Sequence, residues 1–337
     1  MTSGATTPRT TSGSGLPAEA GFVVAALAVL VVAAAASLFV GVSAVSPRGL
    51  IEGDDHQWRV FWESRIPRLA AILLAGSAMS VAGLIMQSLV RNRFVAPSTA
   101  GTVEAASLGL LIATVWFGST SVIGKMVIAV AFALLGTAFF LSLVQRLRFA
   151  DIVLVPLAGI VFGGVIQAAT TFFAFQWDLL QSLNAWTQGD FSGTLRGRYE
   201  LLYVVGALML VGYLYADRFT LVGMGREFAM NLGVRYERVL YGGLALAATI
   251  TAVVVVVVGA IPFIGLIVPN LVTMALGDHL RRVLPATAIG GALFVLLCDI
   301  LSRTIRYPYE VPVGTVVSVL GGVIFVVLIL RSRVGAR

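Results

Sequence analysis

The chain has 337 residues, of which 58% are hydrophobic and only 12% charged, with a formal net charge of +7. Soluble domains carry about 25% charged residues, so this composition, with a mean hydropathy of +0.97, excludes a soluble enzyme or binding module and reads as an all-α polytopic membrane protein. The single cysteine, Cys298, excludes an intrachain disulfide and a cysteine-rich metal site.

Residues 1–18 are rich in Thr, Ser and Gly and predict a disordered cytoplasmic tail. The apolar run from Gly21 is too long for a cleaved signal and lacks a strongly basic leader, so it predicts the first span of one transmembrane domain over 19–331. Charged residues then divide the chain into spans near 21–45, 68–90, 96–117, 124–144, 152–174, 200–216, 239–258, 262–277, 283–302 and 311–330. Ten spans put both termini on one side. With that side cytoplasmic, inner segments hold 14 Lys/Arg and outer segments 9, which favours cytoplasmic termini by the positive-inside bias. These basic residues are scattered over short loops, so the high charge reflects topology and not nucleic-acid binding.

Along this order, Arg65 and Arg68, with Arg303 and Arg306, place guanidiniums near outer helix ends. They could receive carboxylates of a soluble partner or snorkel to lipid headgroups. Glu104 interrupts the third span; an ionisable group at that depth faces a cavity or partner, or else is structural. Gly118 through Lys125 is one residue too long for a nucleotide-binding loop, and Met126 stands where a hydroxyl is needed. Asp151 is placed as the N-cap of the fifth span. His56 and His279 fall in loops without a second ligand at helical spacing, so no metal site is expected.

The interval Asp217–Arg238 is the longest inner polar segment, and Phe228, Ala229 and Leu232 within it have helical spacing. That predicts a short amphipathic helix ending at Gly233, either a docking element or an interfacial connector. Val239–Gly277 is 39 residues without Asp, Glu, Lys, Arg or His. As one helix it would be about 58 Å long, against a bilayer core of about 30 Å, so it must break, and Gly259-Ala260-Ile261-Pro262 supplies the break, followed by a short helix bounded by Pro262 and Pro269. Asp299 lies four residues before Arg303, a spacing that pairs them on one helix face.

Several motifs together resemble the FecCD-type permease subunits of bacterial ATP-binding-cassette importers for iron–siderophores, haem and cobalamin. They are Arg65-Ile-Pro-Arg68 followed by Gly76, Gly83, Gln87 and Arg91-Asn92; Gly259-Ala-Ile-Pro-Phe263-Ile-Gly265-Leu-Ile-Val-Pro269; Gly277-Asp278-His279 with Leu284-Pro285; and Glu310-Val-Pro312-Val-Gly314. The likeness covers about residues 50–331. It implies a type II importer permease fold of ten helices that works as a pair with a second permease, identical or paralogous, around a shared path. It further implies that the 217–238 loop docks on a cytoplasmic ATPase dimer, which holds ATP-Mg while this chain binds no cofactor and is not itself an enzyme. The match at Gly225, Glu227, Ala229, Leu232 and Gly233 carries that implication. Arg65, Arg68 and Arg303 match positions that receive a substrate-binding protein, Arg306 having no clear counterpart. Glu104, Gly259, Phe263, Gly265, Pro269, Pro312 and Gly314 are the expected translocation and gating residues. Asn92-Arg93-Phe94 departs from the usual Asn-Pro-Leu, and Asn270 and Thr273 replace the usual His and Arg; these variants are similar to a siderophore branch, with ferric siderophore as cargo and specificity mainly in the binding protein. The broken apolar run and Glu104 also suit an ion-gradient-driven secondary transporter, the alternative reading. An intramembrane enzyme lacks a nucleophile–base pair or a His/carboxylate set.

Overall fold

The computed structural model describes residues 15–41, 45–146, 154–197 and 199–334. Helix α1 (Gly15–Phe39) is followed by the short α2 (Pro47–Ile51) and α3 (Asp55–Val60). Asp54 caps α3, accepting from the amides of His56 and Gln57 and from the Gln57 side chain, and these bonds, Gln57's foremost, hold its carboxyl below the usual carboxylate range. A π-turn, Phe61–Arg65, joins α3 to α4 (Ile66–Val90). Then come α5 (Thr102–Trp116), α6 (Val122–Arg146), α7 (Leu154–Gln176), α8 (Leu180–Thr187), α9 (Leu202–Leu214), α10 (Ala216–Gly223) and α11 (Arg226–Asn231). The chain finishes with α12 (Tyr236–Val258), α13 (Ile264–Leu276), α14 (Leu280–Thr304) and α15 (Val313–Val334). No strand occurs among the described residues.

By length and composition, Asp55–Val90, α6, α7, α12 and α14 can each cross a membrane, and Tyr199–Leu214 with Ala216–Gly223, bent by 59° between them, passes the same test as a pair, either as one broken span or as a re-entrant loop. Shorter apolar helices at Val23–Phe39, Thr102–Trp116, Ile264–Leu276 and Val313–Leu328 fill the other expected positions. Three boundaries differ. The first helix begins at Gly15 and stops at Phe39, so residues 15–18 are helical where a tail is expected; residues 1–14, like Asp151, lie outside the described residues. The sixth span bends at Tyr215. Pro269 lies inside α13 and does not bound it.

Helix α4 is the axis of the bundle: 72% of its apolar window is buried, against 22% for α7 and 33% for α6. It packs on α14, α12, α13 and α9. Close approach is possible because glycines meet at two crossings, as helix pairs in lipid require when backbones touch. Gly76 faces the Gly291 carbonyl of α14, where an added Cβ would come within 2.7 Å, and Gly83 lies directly against the Gly265 backbone of α13.

Candidate functional site

The arginines stand at the end of the bundle where α4 begins, yet all three expected docking residues are buried: Arg65 is 7% exposed, Arg68 7% and Arg303 3%. Their guanidiniums are enclosed at the helix ends rather than extended into solvent. Arg68 donates from Nε and Nη2 to Asp299 Oδ1 at 3.0 and 2.8 Å, and from Nη1 to Glu310 Oε2 at 2.7 Å. Arg303 pairs with the other oxygen of Asp299, as the four-residue spacing predicts, and donates to the Ser37 and Val40 carbonyls at 3.0 and 2.7 Å. Arg65 Nη1 also donates to the Val40 carbonyl. Carbonyls at a helix C-terminus lack helical donors and carry partial negative charge, so Arg65 and Arg303 close the end of α1 while Asp299 sits between the charges of Arg68 and Arg303. The five side chains sum to one net positive charge, and Glu310 is their most exposed carboxylate. Arg306, ranked below the other three from sequence, is exposed.

The break in the long apolar run is a three-way junction. Gly259 ends α12 at φ +82°, and a Cβ there would meet the Gln188 and Trp186 carbonyls at 2.9 Å, so only glycine fits both the angle and the space. The Asp190 amide donates to the Val258 carbonyl at 2.9 Å, and the Gly314 amide to the Gly189 carbonyl at 2.7 Å. Thus Gly259 and Gly314, with Pro312 just before α15, come together on the loop after α8. Phe263, at φ +60°, turns the chain into α13 and stacks on Phe325 of α15, ring centroids 6.4 Å apart. Two residues on, Gly265 lies against Gly83, and its carbonyl accepts from Gln87 Nε2 at 3.0 Å. Sequence reasoning gave Gln87 no role; a polar side chain in an apolar helix, with a proline elsewhere needing a donor for its freed carbonyl, was the available signal. Asn270, buried on α13, donates to the Arg93 carbonyl at 2.9 Å.

Glu104 does not join this junction. It lies in the first turn of α5, where the helix dipole favours a carboxylate. Its carboxyl group faces Gly163 of α7, and its buried Oε2 has no hydrogen-bond partner among the described residues.

At the opposite end, where α4 stops, α11 stands between α10 and α12. Gly225 precedes it at φ +122°, and an ion pair from Arg226 to Glu237 at 2.9 Å ties it to the start of α12. Ala229 is buried, Glu227 and Gly233 are exposed, and Phe228, Met230 and Leu232 are 44%, 56% and 55% exposed. The helix therefore presents apolar side chains outward on an otherwise polar loop.

A model of the FecCD transport family matches residues 29–331. The petrobactin import system permease protein YclN of Bacillus subtilis (strain 168) is 44% identical over 304 residues, covering 90% of this chain and 96% of that protein. The ferric-anguibactin transport system permease protein FatD of Vibrio anguillarum is 41% identical over 298 residues, with 88% and 95% covered. The hemin transport system permease protein HmuU of Yersinia pestis is 31% identical over 318 residues, with 91% and 94% covered. Among solved structures, an inward-facing metal-chelate type ABC transporter superposes with a TM-score of 0.80 over 93% of this chain and 99% of that one; at 23% identity it speaks for the fold alone.

Proposed function

The chain belongs to the FecCD transport family, and we propose that it is the permease subunit of an ATP-driven importer that carries a ferric siderophore across a bacterial inner membrane. The near-full-length likeness to petrobactin and anguibactin permeases supports the cargo class. The observation that carries the coupling is α11: a short helix outside the spans whose Phe228, Met230 and Leu232 lack cover within this chain. Apolar side chains grouped on a polar loop mark a protein contact, and a cytoplasmic ATPase dimer, holding ATP-Mg, is the occupant. Both termini are then cytoplasmic and the arginine cluster faces outward.

A substrate-binding protein docks at that outer end. Arg68 is already paired, so an incoming carboxylate exchanges with Glu310, its more exposed partner, while Asp299 keeps the guanidiniums in place. A second permease completes the path against helices this chain leaves uncovered, such as α7 with Ile160, Val161 and Val165 exposed. ATP binding in the ATPase docked on α11 and docking of the binding protein at the arginine cluster each bias the packing around α4, so that the two subunits rock between outward and inward access. Family membership favours this over a gradient-driven carrier, whose support is limited to the broken run and the unpaired oxygen of Glu104.

The test is purification of the tagged chain from its native membrane in mild detergent, with every stoichiometric partner identified. An ATPase dimer and one further permease are expected. A chain recovered alone or only with itself in several detergents overturns the importer assignment.

A further inference from the structure

Between α9 and α12, at the end where α4 stops, lies a groove of about 800 Å³ to which transport assigns no role. Its bed is apolar, with Val211 of α9 and Leu246 of α12. Gly242 keeps it open: a Cβ added there would meet nothing within 4 Å. Its mouth is cationic, lined by Arg218 of α10 and by Arg235 and Arg238 at the start of α12, all exposed. The neighbouring carboxylates are engaged elsewhere, Asp217 with Arg281 at 2.7 Å and Glu237 with Arg226 at 2.9 Å. Among the described residues no ion pair holds the three arginines, and Arg218 rests 5.0 Å over the Tyr215 ring.

We propose that this groove binds an anionic diacyl phospholipid of the adjoining leaflet, its phosphate on the three guanidiniums and an acyl chain along Val211 and Leu246. The dimensions agree. Leu246 is eight residues beyond Arg238, about 12 Å deeper at ~1.5 Å per residue, which places it within one leaflet of a core about 30 Å thick. Basic pockets between spans at the cytoplasmic side recognise acidic headgroups in this way. A free phosphate would satisfy the mouth but leave the apolar bed unfilled. Gly233 and Val234, which connect α11 to α12, also line the groove, so a bound lipid stiffens the connector behind α11. That last link, and the cytoplasmic placement of the groove, rest on the ATPase-docking reading of α11; the basic mouth over an apolar bed does not.

The experiment uses the full-length chain, exchanged into equal amounts of phosphatidylglycerol and phosphatidylcholine, with retained lipid counted by native mass spectrometry. Phosphatidylglycerol is retained in preference. Each of Arg218→Gln, Arg235→Gln and Arg238→Gln lowers that preference about fivefold. Gly242→Leu, which enters open space, expels lipid of both kinds while the protein elutes unchanged in size-exclusion chromatography. Equal retention of the two lipids, an unaltered preference in the triple arginine variant, or displacement by millimolar inorganic phosphate overturns the proposal. Retained lipid together with failure to bind any ATPase would instead count against the docking reading alone.

Discussion

Gln87 closes a gap that Pro269 opens. Proline has no amide hydrogen, so within α13 the carbonyl four residues back, that of Gly265, loses its helical donor. Gln87 Nε2 reaches across from α4 and donates to that carbonyl at 3.0 Å, an approach allowed because Gly83 brings the two backbones together. Replacing Gln87 with Leu leaves a buried carbonyl unsatisfied and should cost about 1–3 kcal/mol, read as a lower unfolding midpoint of the purified protein. A Gln87→Leu protein as stable as the parent would show that the bond is incidental. The Asp299–Arg303 pair was legible because both residues lie on one helix, four apart. The third member, Arg68, is 231 residues from Asp299, and no local spacing announces that contact. Its consequence is the burial that sequence could not see: once Asp299 is enclosed, both guanidiniums must follow it inward, since a buried charge left alone costs several kcal/mol.

At the scale of elements, the long apolar run broke where sequence placed it, because length against bilayer thickness and the Gly259–Pro262 segment leave little choice. What composition could not indicate is that the break is held from outside, by the loop after α8 and the start of α15. Helix α8 itself escaped notice because it is short and mixed in polarity. The bend at Tyr215 lies between Leu214 and Ala216 with no proline or glycine to mark it. Helix α11 was legible by spacing, but which of its residues turn outward was not: Ala229 takes the buried side and leaves Phe228 and Leu232 exposed. Changing Phe228 and Leu232 to Ser removes apolar surface that the isolated chain leaves in water, so the permease should retain its stability while ATPase association falls at least tenfold, measured by co-purification from membranes. Normal association in that double variant would remove α11 from the coupling account.

For the whole molecule, one helix organises the rest. Helix α4 starts at the arginine cluster, crosses glycine to glycine past α14 and α13, and ends beside the loop that leads to α11. A shift of packing around α4 is thereby felt at both ends, which is what an importer powered on one face and loaded on the other requires. The architecture was readable because hydropathy and charge constrain membrane helices strongly; the cargo class was legible only through the siderophore-branch resemblance at Asn92-Arg93-Phe94, Asn270 and Thr273, since no constellation of charged side chains in the spans spells out a ligand. The most direct measurement is uptake of radiolabelled ferric siderophore by liposomes containing the chain with its partner permease, ATPase and binding protein. The account predicts uptake that requires ATP on the α11 side and persists when ionophores abolish the proton and sodium gradients. Uptake that proceeds without ATP and collapses with either gradient would contradict it.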